Sequence, residues 1–321
     1  MSPSDDLSSH LHGEDEIPIR DIISRFITLG FMLLSIVALA VLLGFYAKFP
    51  ALRSTSGKLI MSISITLMIA LFFYAIGVLA IAKIWYPMCF IMAVSIHFNF
   101  LASLAFASCL SFDLWKTNLL PKHMKDSKLF FRYSLFSWTF SGLIVLFSVI
   151  VEFFPVGSKI LPLPRPRYSM PVAILHPSDF HTSQYHEHSV WVCWIMNHNA
   201  LLMYLNLPGA LLIAVSSWYY FKIIQKVATD DGMNSRKRHG TSLIRRNRRL
   251  FIYLKLSMII TMTWLFGFIA AATNIEAFWI PFGLTYALQG FYLTISFVFT
   301  KKVAKLVKGW ANQTTILETT V

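Results

Sequence analysis

Residues 88–112 read MCFIMAVSIHFNFLASLAFASCLSF, a run of 25 residues without a single Asp, Glu, Lys or Arg. The hydrocarbon core of a bilayer is about 30 Å thick, and about 20 helical residues are enough to cross it. Lipid offers the backbone no water to bind, so a crossing segment must satisfy its own hydrogen bonds as an α-helix. The segment is therefore predicted to be a transmembrane helix.

The whole chain has the composition of an integral membrane protein. Of its 321 residues, 56% are hydrophobic, 15% aromatic and only 13% charged, and this charged share is about half of that in soluble domains. So few charges could not cover so much apolar mass in water, whereas lipid could. The three cysteines exclude a disulfide scaffold and a Cys-rich zinc module.

Six further stretches resemble the first one in length and apolar character. The seven predicted spans are residues 22–46, 59–82, 88–112, 130–151, 199–221, 250–273 and 279–299. In residues 300–310 the apolar side chains recur at helical spacing opposite four lysines, which predicts a short amphipathic helix on the inner leaflet. The expected fold class is an all-α membrane protein, a seven-transmembrane helix bundle with a short amphipathic eighth helix.

The basic residues predict the orientation of this bundle. With the N-terminus outside, 22 of the 28 Lys and Arg residues fall on the cytoplasmic side, as the positive-inside rule requires. The chain should then be a multi-pass protein of the plasma membrane. Residues 1–21 would form an acidic extracellular segment, and residues 311–321 a cytoplasmic tail.

The net charge of +13 is concentrated in the loop before span six, where Arg245, Arg246, Arg248 and Arg249 follow one another closely. One interpretation is positive-inside topology with contact to membrane lipid. The other is a cytoplasmic surface for an acidic protein partner, and the two are compatible. Nucleic acid is not an expected partner, because the membrane context explains the basic run.

Two of the three cysteines are expected to pair. Cys89 and Cys193 both lie on the outer side, whereas Cys109 lies 20 residues beyond Cys89, about 30 Å further along a helix. A disulfide requires Cα atoms within about 7 Å, so Cys89–Cys193 is the only plausible pair. The alternative is that both are small buried apolar residues.

Polar residues inside the spans should face the bundle interior, because burial in lipid is costly without partners. They are His97, Asn99, Asn206 and Gln289. Their role is either interhelical adhesion or a ligand pocket or switch. Pro208 lacks a backbone donor and Gly267 has a free backbone, so both are candidate kinks or hinges.

The last residues form a candidate binding motif. Glu318, Thr319 and Val321 place a hydroxyl two residues before an apolar C-terminal residue with a free carboxylate, which is what a PDZ-domain groove binds. Such endings also occur by chance.

The outer-loop histidines His176, His181, His186 and His188 either bind metal or sense pH, or simply belong to a solvated loop. Neither a metal site, a cofactor nor an enzyme activity is expected.

Local motifs resemble those of the secretin/adhesion superfamily of G-protein-coupled receptors. Span three lacks the Asp/Glu-Arg-Tyr motif of rhodopsin-like receptors, and span seven lacks their Asn-Pro-x-x-Tyr. The motifs that carry the resemblance are Cys193-Trp194, the helix-six stretch TWLFG at 263–267 and the helix-seven stretch LQGF at 288–291. Gly57-Lys58 and residues 111–115, SFDLW, are similar to the Methuselah-like branch.

This resemblance implies a receptor that transmits an extracellular signal to a heterotrimeric G protein. The core switch it implies consists of Trp138, Trp264, Gly267, Gln289 and Gly290. A pocket for an unknown extracellular ligand would include His97, Asn99, Trp194 and Asn206. The G protein would contact Arg245, Arg246, Arg248 and Arg249.

Three departures accompany the resemblance. The residues around Trp138 read Ser-Trp-Thr rather than Gly-Trp-Gly, and Ser56 stands where Methuselah-like receptors tend to have His. The large extracellular domain of the family is not in this sequence, which suggests an incomplete chain or a shortened isoform. The alternatives are therefore a truncated, non-signalling membrane receptor acting in trafficking or scaffolding, or a transporter. Against a transporter, no span carries a deep acidic residue for ion coupling.

Overall fold

The computed structural model describes residues 19–79, 86–119, 128–154, 163–169, 193–234, 240–273, 275–300, 303–310 and 312. The helices in these ranges are α1 (Ile19–Lys48), α2 (Thr55–Leu79), α3 (Tyr86–Leu119), α4 (Leu129–Phe153), α6 (Gly240–Thr273), α7 (Trp279–Val298) and α8 (Val303–Trp310). Helix α5 is composite: an α-helical turn at His198–Leu201, a π-helical turn at Leu202–Asn206, and a long α-helix at Leu207–Asn234. The expected all-helical bundle is confirmed.

Apolar length explains why these segments span a membrane. Within the described residues, α1 to α5 are each long and apolar enough to cross a bilayer. Helices α7 and α8 pass the same test as a pair bent by 67°, and Ser257–Thr273 of α6 is a shorter apolar helix. The protein is thus a multi-pass membrane protein whose helices satisfy their own backbone groups.

Helix α3 is the centre of the bundle. It packs against α2, α4 and α5 and against both strands of the outer loop. In its apolar span 67% of the residues are buried, whereas the figure for α4 is 28%. Helix α1 packs mainly against α7 and α2. The side chains of α3 therefore decide what the interior contains, and α4 lies at the periphery.

Helix α4 turns its small polar side chains inward and its large apolar ones outward. Ser137, Ser141 and Ser148 are fully buried, whereas Leu143 and Phe147 are exposed. Ser141 and Ser148 donate hydrogen bonds to carbonyls of their own helix, at 2.9 and 2.8 Å. Small residues let two helices approach closely in lipid, where apolar side chains gain nothing by being buried.

The C-terminal ends of α1 and α8 are in contact. Arg53 donates from Nε to the Tyr46 carbonyl at 2.8 Å and from Nη2 to the Ala47 carbonyl, which satisfies carbonyls at the end of α1. The ammonium of Lys48 lies 3.2 Å from the ring centroid of Trp310 in α8, a cation–π contact. The amphipathic eighth helix is therefore fixed to the end of α1.

Candidate functional site

A disulfide and a strand pair hold the outer loop on the bundle. Cys89, near the start of α3, is bonded to Cys193, with their Cα atoms 5.2 Å apart, so the expected pairing is confirmed. Next to it, β1 (Tyr168–Ser169) pairs antiparallel with β2 (Trp194–Ile195). We call these four residues the outer strand pair. The outer loop is thereby attached to the central helix by both a covalent bond and strand contacts.

Tyr168 of the outer strand pair inserts into the bundle. It is fully buried, and its hydroxyl lies 2.9 Å from His97 Nδ1 on α3 and 2.6 Å from Ser148 Oγ on α4. Burial raises the pKa of this hydroxyl, so it remains protonated and able to donate. One loop side chain thus links two transmembrane helices.

His97 extends this link to α5. Its Nε2 lies 3.1 Å from the carbonyl oxygen of Tyr204, in the π-helical turn. In an α-helix that carbonyl would accept from the residue four positions later, but this is Pro208, which has no N–H. Because a carbonyl only accepts, Nε2 carries the hydrogen, and a neutral imidazole then accepts at Nδ1 from Tyr168. The outer strand pair, α3 and the turn before Pro208 form one network.

An aromatic column connects the outer strand pair with α6 and α7. Its members are Trp194, Phe100, Trp264 and Phe282. The ring centroid of Phe100 lies 5.3 Å from that of Trp194 and 5.7 Å from that of Trp264, and Trp264 lies 6.0 Å from Phe282. Trp264 is only 2% exposed. A displacement of the outer loop would therefore be transmitted through these rings to Trp264, a buried side chain of α6.

Gly267 allows α6 and α7 to approach. A Cβ atom at this position would lie 2.9 Å from two ring carbons of Phe282, closer than van der Waals contact permits. The glycine is therefore required by the packing of the aromatic column. The sequence identified Gly267 as a candidate hinge, and the structure adds the steric reason for the residue.

Gly290 and Ser35 hold α7 against α1. A Cβ on Gly290 would lie 2.7 Å from Leu39 Cδ1. The buried Ser35 hydroxyl donates to the Ala287 carbonyl and accepts from the Phe291 backbone N–H at 3.2 Å. Sequence reasoning missed Ser35. Its only signal in the sequence was a small polar residue within a largely apolar span.

Two of the predicted polar residues are buried with open hydrogen-bonding capacity. Gln289 is 6% exposed and Asn206 is 7% exposed. Among the described residues no partner binds Gln289 Oε1 or Asn206 Nδ2. A buried polar atom without a partner costs about 1–3 kcal/mol, so a bound polar group or a second packing arrangement that satisfied them would be favoured.

Two other predicted residues lie away from this interior. Trp138 is 38% exposed at the periphery, where it stacks on Phe98 and meets Phe106 edge-on. Asn99 lines an outward-opening cleft between α2, α3 and α4, rather than the interior expected from its polarity. Asn99 is two residues after His97, about 200° around the helix, and α4 is peripheral; these two facts explain both placements.

The half of the bundle in which α2 begins contains a small cavity and a buried carboxylate. The cavity measures about 20 Å³ and lies between α2, α3, α5 and α6, with Ile63, Leu104, Tyr220 and Ile260 in its wall; this is room for one water. At the end of the bundle where α2 begins, Ser56 Oγ donates to Asp113 Oδ2 at 2.6 Å. Ser56 thus fixes the start of α2 to α3.

The remaining predicted residues lie outside the described side chains. The backbone of Arg245, Arg246, Arg248 and Arg249 belongs to α6, but their side chains are outside the description. Glu318, Thr319, Val321 and the outer-loop histidines lie outside the described residues altogether. Within the described residues no group of three or more His, Cys, Asp or Glu side chains could hold a metal ion.

A seven-helix bundle, with a disulfide from α3 to the outer loop and a buried aromatic contact to α6, defines the class of seven-transmembrane receptors. The family model described as "7 transmembrane receptor (Secretin family)" matches residues 23–293, most of the chain. The chain therefore belongs to the secretin family of seven-transmembrane receptors.

Similar proteins come from insects and an amoeba. The chain is 23% identical over 265 residues to the probable G-protein coupled receptor Mth-like 11 of Drosophila melanogaster, covering 80% of this chain and 44% of that protein. It is 23% identical to G-protein coupled receptor Mth2 of Drosophila yakuba, over 86% of this chain and 50% of that protein.

The latrophilin receptor-like protein A of Dictyostelium discoideum is 21% identical over 277 residues, with 84% of this chain and 76% of that protein covered. The chain thus spans about half the length of the two Drosophila relatives. Both of these bear Methuselah-type names, so the resemblance to the Methuselah-like branch is confirmed.

Proposed function

We propose that this protein transmits an extracellular signal to a heterotrimeric G protein, with its N-terminus outside the cell and its C-terminus in the cytoplasm. The observation that carries the proposal is the aromatic column, because it joins the outer strand pair to α6 without a break. Membership of a receptor family supports the same function. An extracellular agonist, whose identity is open, would act on the outer side of this column.

The first step is a displacement of the outer strand pair. Trp194 belongs to β2, and its ring rests on Phe100, so a ligand that moves β2 also moves the outer end of the column. Tyr168 ties the paired strand to His97 and thereby to α5. The ligand-sensing set therefore includes His97, Trp194 and Asn206, as proposed from the sequence, and adds Tyr168 and Phe100.

The second step is a change in the packing of α6. In this proposal the close contact between Gly267 and Phe282 is the resting arrangement. A shift of Trp264 weakens that contact and lets the inner end of α6 move outward, a known form of switching by helix displacement. The cavity of about 20 Å³ beside Ile260 leaves α6 incompletely packed there, which lowers the cost of movement.

The unpaired atoms of Gln289 and Asn206 support the proposal that the helices have two packing arrangements. Each atom carries a cost in the arrangement described, so an alternative that pairs them lies closer in free energy. A ligand shifts such an equilibrium only by binding one arrangement better than the other. The G protein would do so from inside, through the basic end of α6 with Arg245, Arg246, Arg248 and Arg249.

The test is G-protein activation in cells that display the protein at the surface. We expect Trp264→Ala and Gln289→Ala to change agonist-dependent or basal activation, because Trp264 belongs to the aromatic column and Gln289 carries an unpaired buried atom whose pairing would distinguish the two arrangements. The matched controls are Trp218→Ala, at a side chain 59% exposed, and Gln225→Ala, at an exposed position. Equal activation by all four variants at equal surface expression would refute the switch.

A PDZ-domain protein is proposed as a cytoplasmic partner on the sequence of the tail alone. The C-terminal carboxylate, Val321 and Thr319 would bind as an added edge strand. A pull-down with a PDZ-domain array is expected to lose its signal when Val321 is deleted. If the deletion leaves capture unchanged, the tail is not a PDZ ligand. The signalling proposal is unaffected by that result.

A further inference from the structure

A cleft of about 460 Å³ opens on the outside of the bundle between α2, α3 and α4. Its wall is formed by Phe73, Val94, Phe98, Gly142, Val145 and Val149. These side chains are apolar, and the glycine leaves open space where another residue would project. The volume falls within the range of about 300–1,000 Å³ that small-molecule sites occupy. The bilayer surrounds this face, so a lipid must fill the cleft.

Two polar side chains, Ser95 and Asn99, lie in this otherwise apolar wall. Asn99 is 6% exposed and lines the cleft. Its Nδ2 donates to the Ser95 carbonyl of the same helix at 2.8 Å. Because a carbonyl oxygen can only accept, this bond fixes which end of the amide faces the backbone. The side-chain oxygen Oδ1 is then directed away from the helix backbone. Among the described residues nothing donates to this oxygen, so the cleft contains an unused hydrogen-bond acceptor.

The depth of Asn99 restricts what can donate to it. The apolar span of α3 begins at Pro87, and twelve residues further on the helix has descended about 18 Å. That is beyond the middle of an outer leaflet and near the centre of the bilayer, where no water is available. The polar groups of ordinary phospholipids stay at the interface, and their acyl chains carry no donor. The occupant must bring a hydroxyl to this depth.

We propose that the cleft binds a sterol whose side chain carries a hydroxyl group. Such a molecule has a rigid apolar body with one hydroxyl at each end. The ring hydroxyl stays at the outer interface, the body lies against Val94, Phe98 and Val149, and the side-chain hydroxyl donates to Asn99 Oδ1. Gly142 provides the space for the body. This site is separate from the aromatic column and does not depend on the signalling proposal.

The test uses the full chain in lipid nanodiscs, with a photoreactive sterol as the probe. A side-chain-hydroxylated cholesterol should compete for labelling about five- to tenfold better than cholesterol itself, the factor expected for one buried hydrogen bond. The label should map to α2, α3 or α4. Equal competition by the two sterols, or labelling only elsewhere on the chain, would overturn the proposal.

Three variants complete the experiment. Asn99→Leu should bring the ratio between the two competitors close to one, because it removes the acceptor and keeps the size. Gly142→Leu should abolish labelling by filling the cleft, whereas Gly44→Leu, at a helix position with nothing within 4 Å, should label like the unchanged protein. A preference that survives Asn99→Leu contradicts the proposal. If that variant does not fold, undiminished labelling of Gly142→Leu contradicts it instead.

Discussion

The imidazole of His97 and the phenol of Tyr168 lie 2.9 Å apart, between Nδ1 and the hydroxyl oxygen. One residue belongs to the centre of a transmembrane helix and the other to a two-residue strand of the outer loop. Their contact continues through His97 Nε2 to the Tyr204 carbonyl, at 3.1 Å. The outer loop is thus anchored inside the bundle, and its position is coupled to the π-helical turn of α5.

The first prediction concerns this anchor. Tyr168→Phe removes the hydroxyl and leaves His97 Nδ1 without a partner in a buried site, whereas Ser148 Oγ keeps its bond to the Val145 carbonyl. The expected loss of stability is about 1–3 kcal/mol, measured as a lower melting temperature of the purified receptor. Tyr292→Phe, at a ring 41% exposed, is the control and should melt like the unchanged protein. Identical melting of both variants would show that the anchor contributes nothing.

The second prediction concerns the disulfide. Replacing Cys89 and Cys193 together by Ala removes a cross-link between residues 104 positions apart. The free energy of unfolding should fall by about 2–4 kcal/mol, and agonist potency should fall because the outer strand pair is no longer held over Phe100. Cys109→Ser, at the free buried cysteine, serves as the comparison. Unchanged agonist potency in the double variant would show that the disulfide does not contribute to ligand sensing.

The third prediction concerns the contact of α6 with α7. Gly267→Ala places a methyl group 2.9 Å from the ring of Phe282 and forces the two helices apart. Because this weakens the resting arrangement, basal G-protein activation should rise about two- to thirtyfold, corresponding to roughly 0.5–2 kcal/mol. Adding Phe282→Leu should reverse part of the rise. Gly283→Ala, where nothing lies within 4 Å, should leave the basal level unchanged, and an equal rise there would argue against the steric explanation.

The fourth prediction concerns the contact of α1 with α7. Gly290→Ala introduces a Cβ 2.7 Å from Leu39 Cδ1, and overpacking of this kind costs about 1–3 kcal/mol. In combination with Leu39→Ala the loss should be smaller than the sum of the single losses, because the two changes share one space. Gly44→Ala provides the baseline for a glycine in open space. Strict additivity would mean that the two side chains do not meet.

The sequence was sufficient for the features that depend on composition and distance along a helix. Charge-free runs such as residues 88–112 predict the helical bundle, and the helical rise leaves Cys89 and Cys193 as the only pair. The inward position of His97, Asn206 and Gln289 follows from the cost of burying polar groups in lipid. These predictions rest on local properties, which one sequence contains.

The features that depend on contacts between distant segments could not be predicted. Nothing near Tyr168 in the sequence distinguishes it from other loop residues, yet it fills the gap between α3 and α4. Pro208 predicted an irregular helix but not that His97 would bind the Tyr204 carbonyl. Trp138 was assigned to the core switch by the family resemblance and Asn99 to the interior by its polarity, whereas the peripheral position of α4 sets the surroundings of both. Rotation of each helix about its axis is decided by its neighbours.

The central claim is that α6 has two positions and that the G protein selects one of them. It is tested most directly by spin labels at the inner ends of α6 and α3 in the purified receptor, with the distance measured by electron resonance. Adding nucleotide-free heterotrimer should lengthen the distance by several ångströms, and Trp264→Ala should alter how much of the population shifts. A single unchanged distance, with the heterotrimer present in excess, would contradict the account.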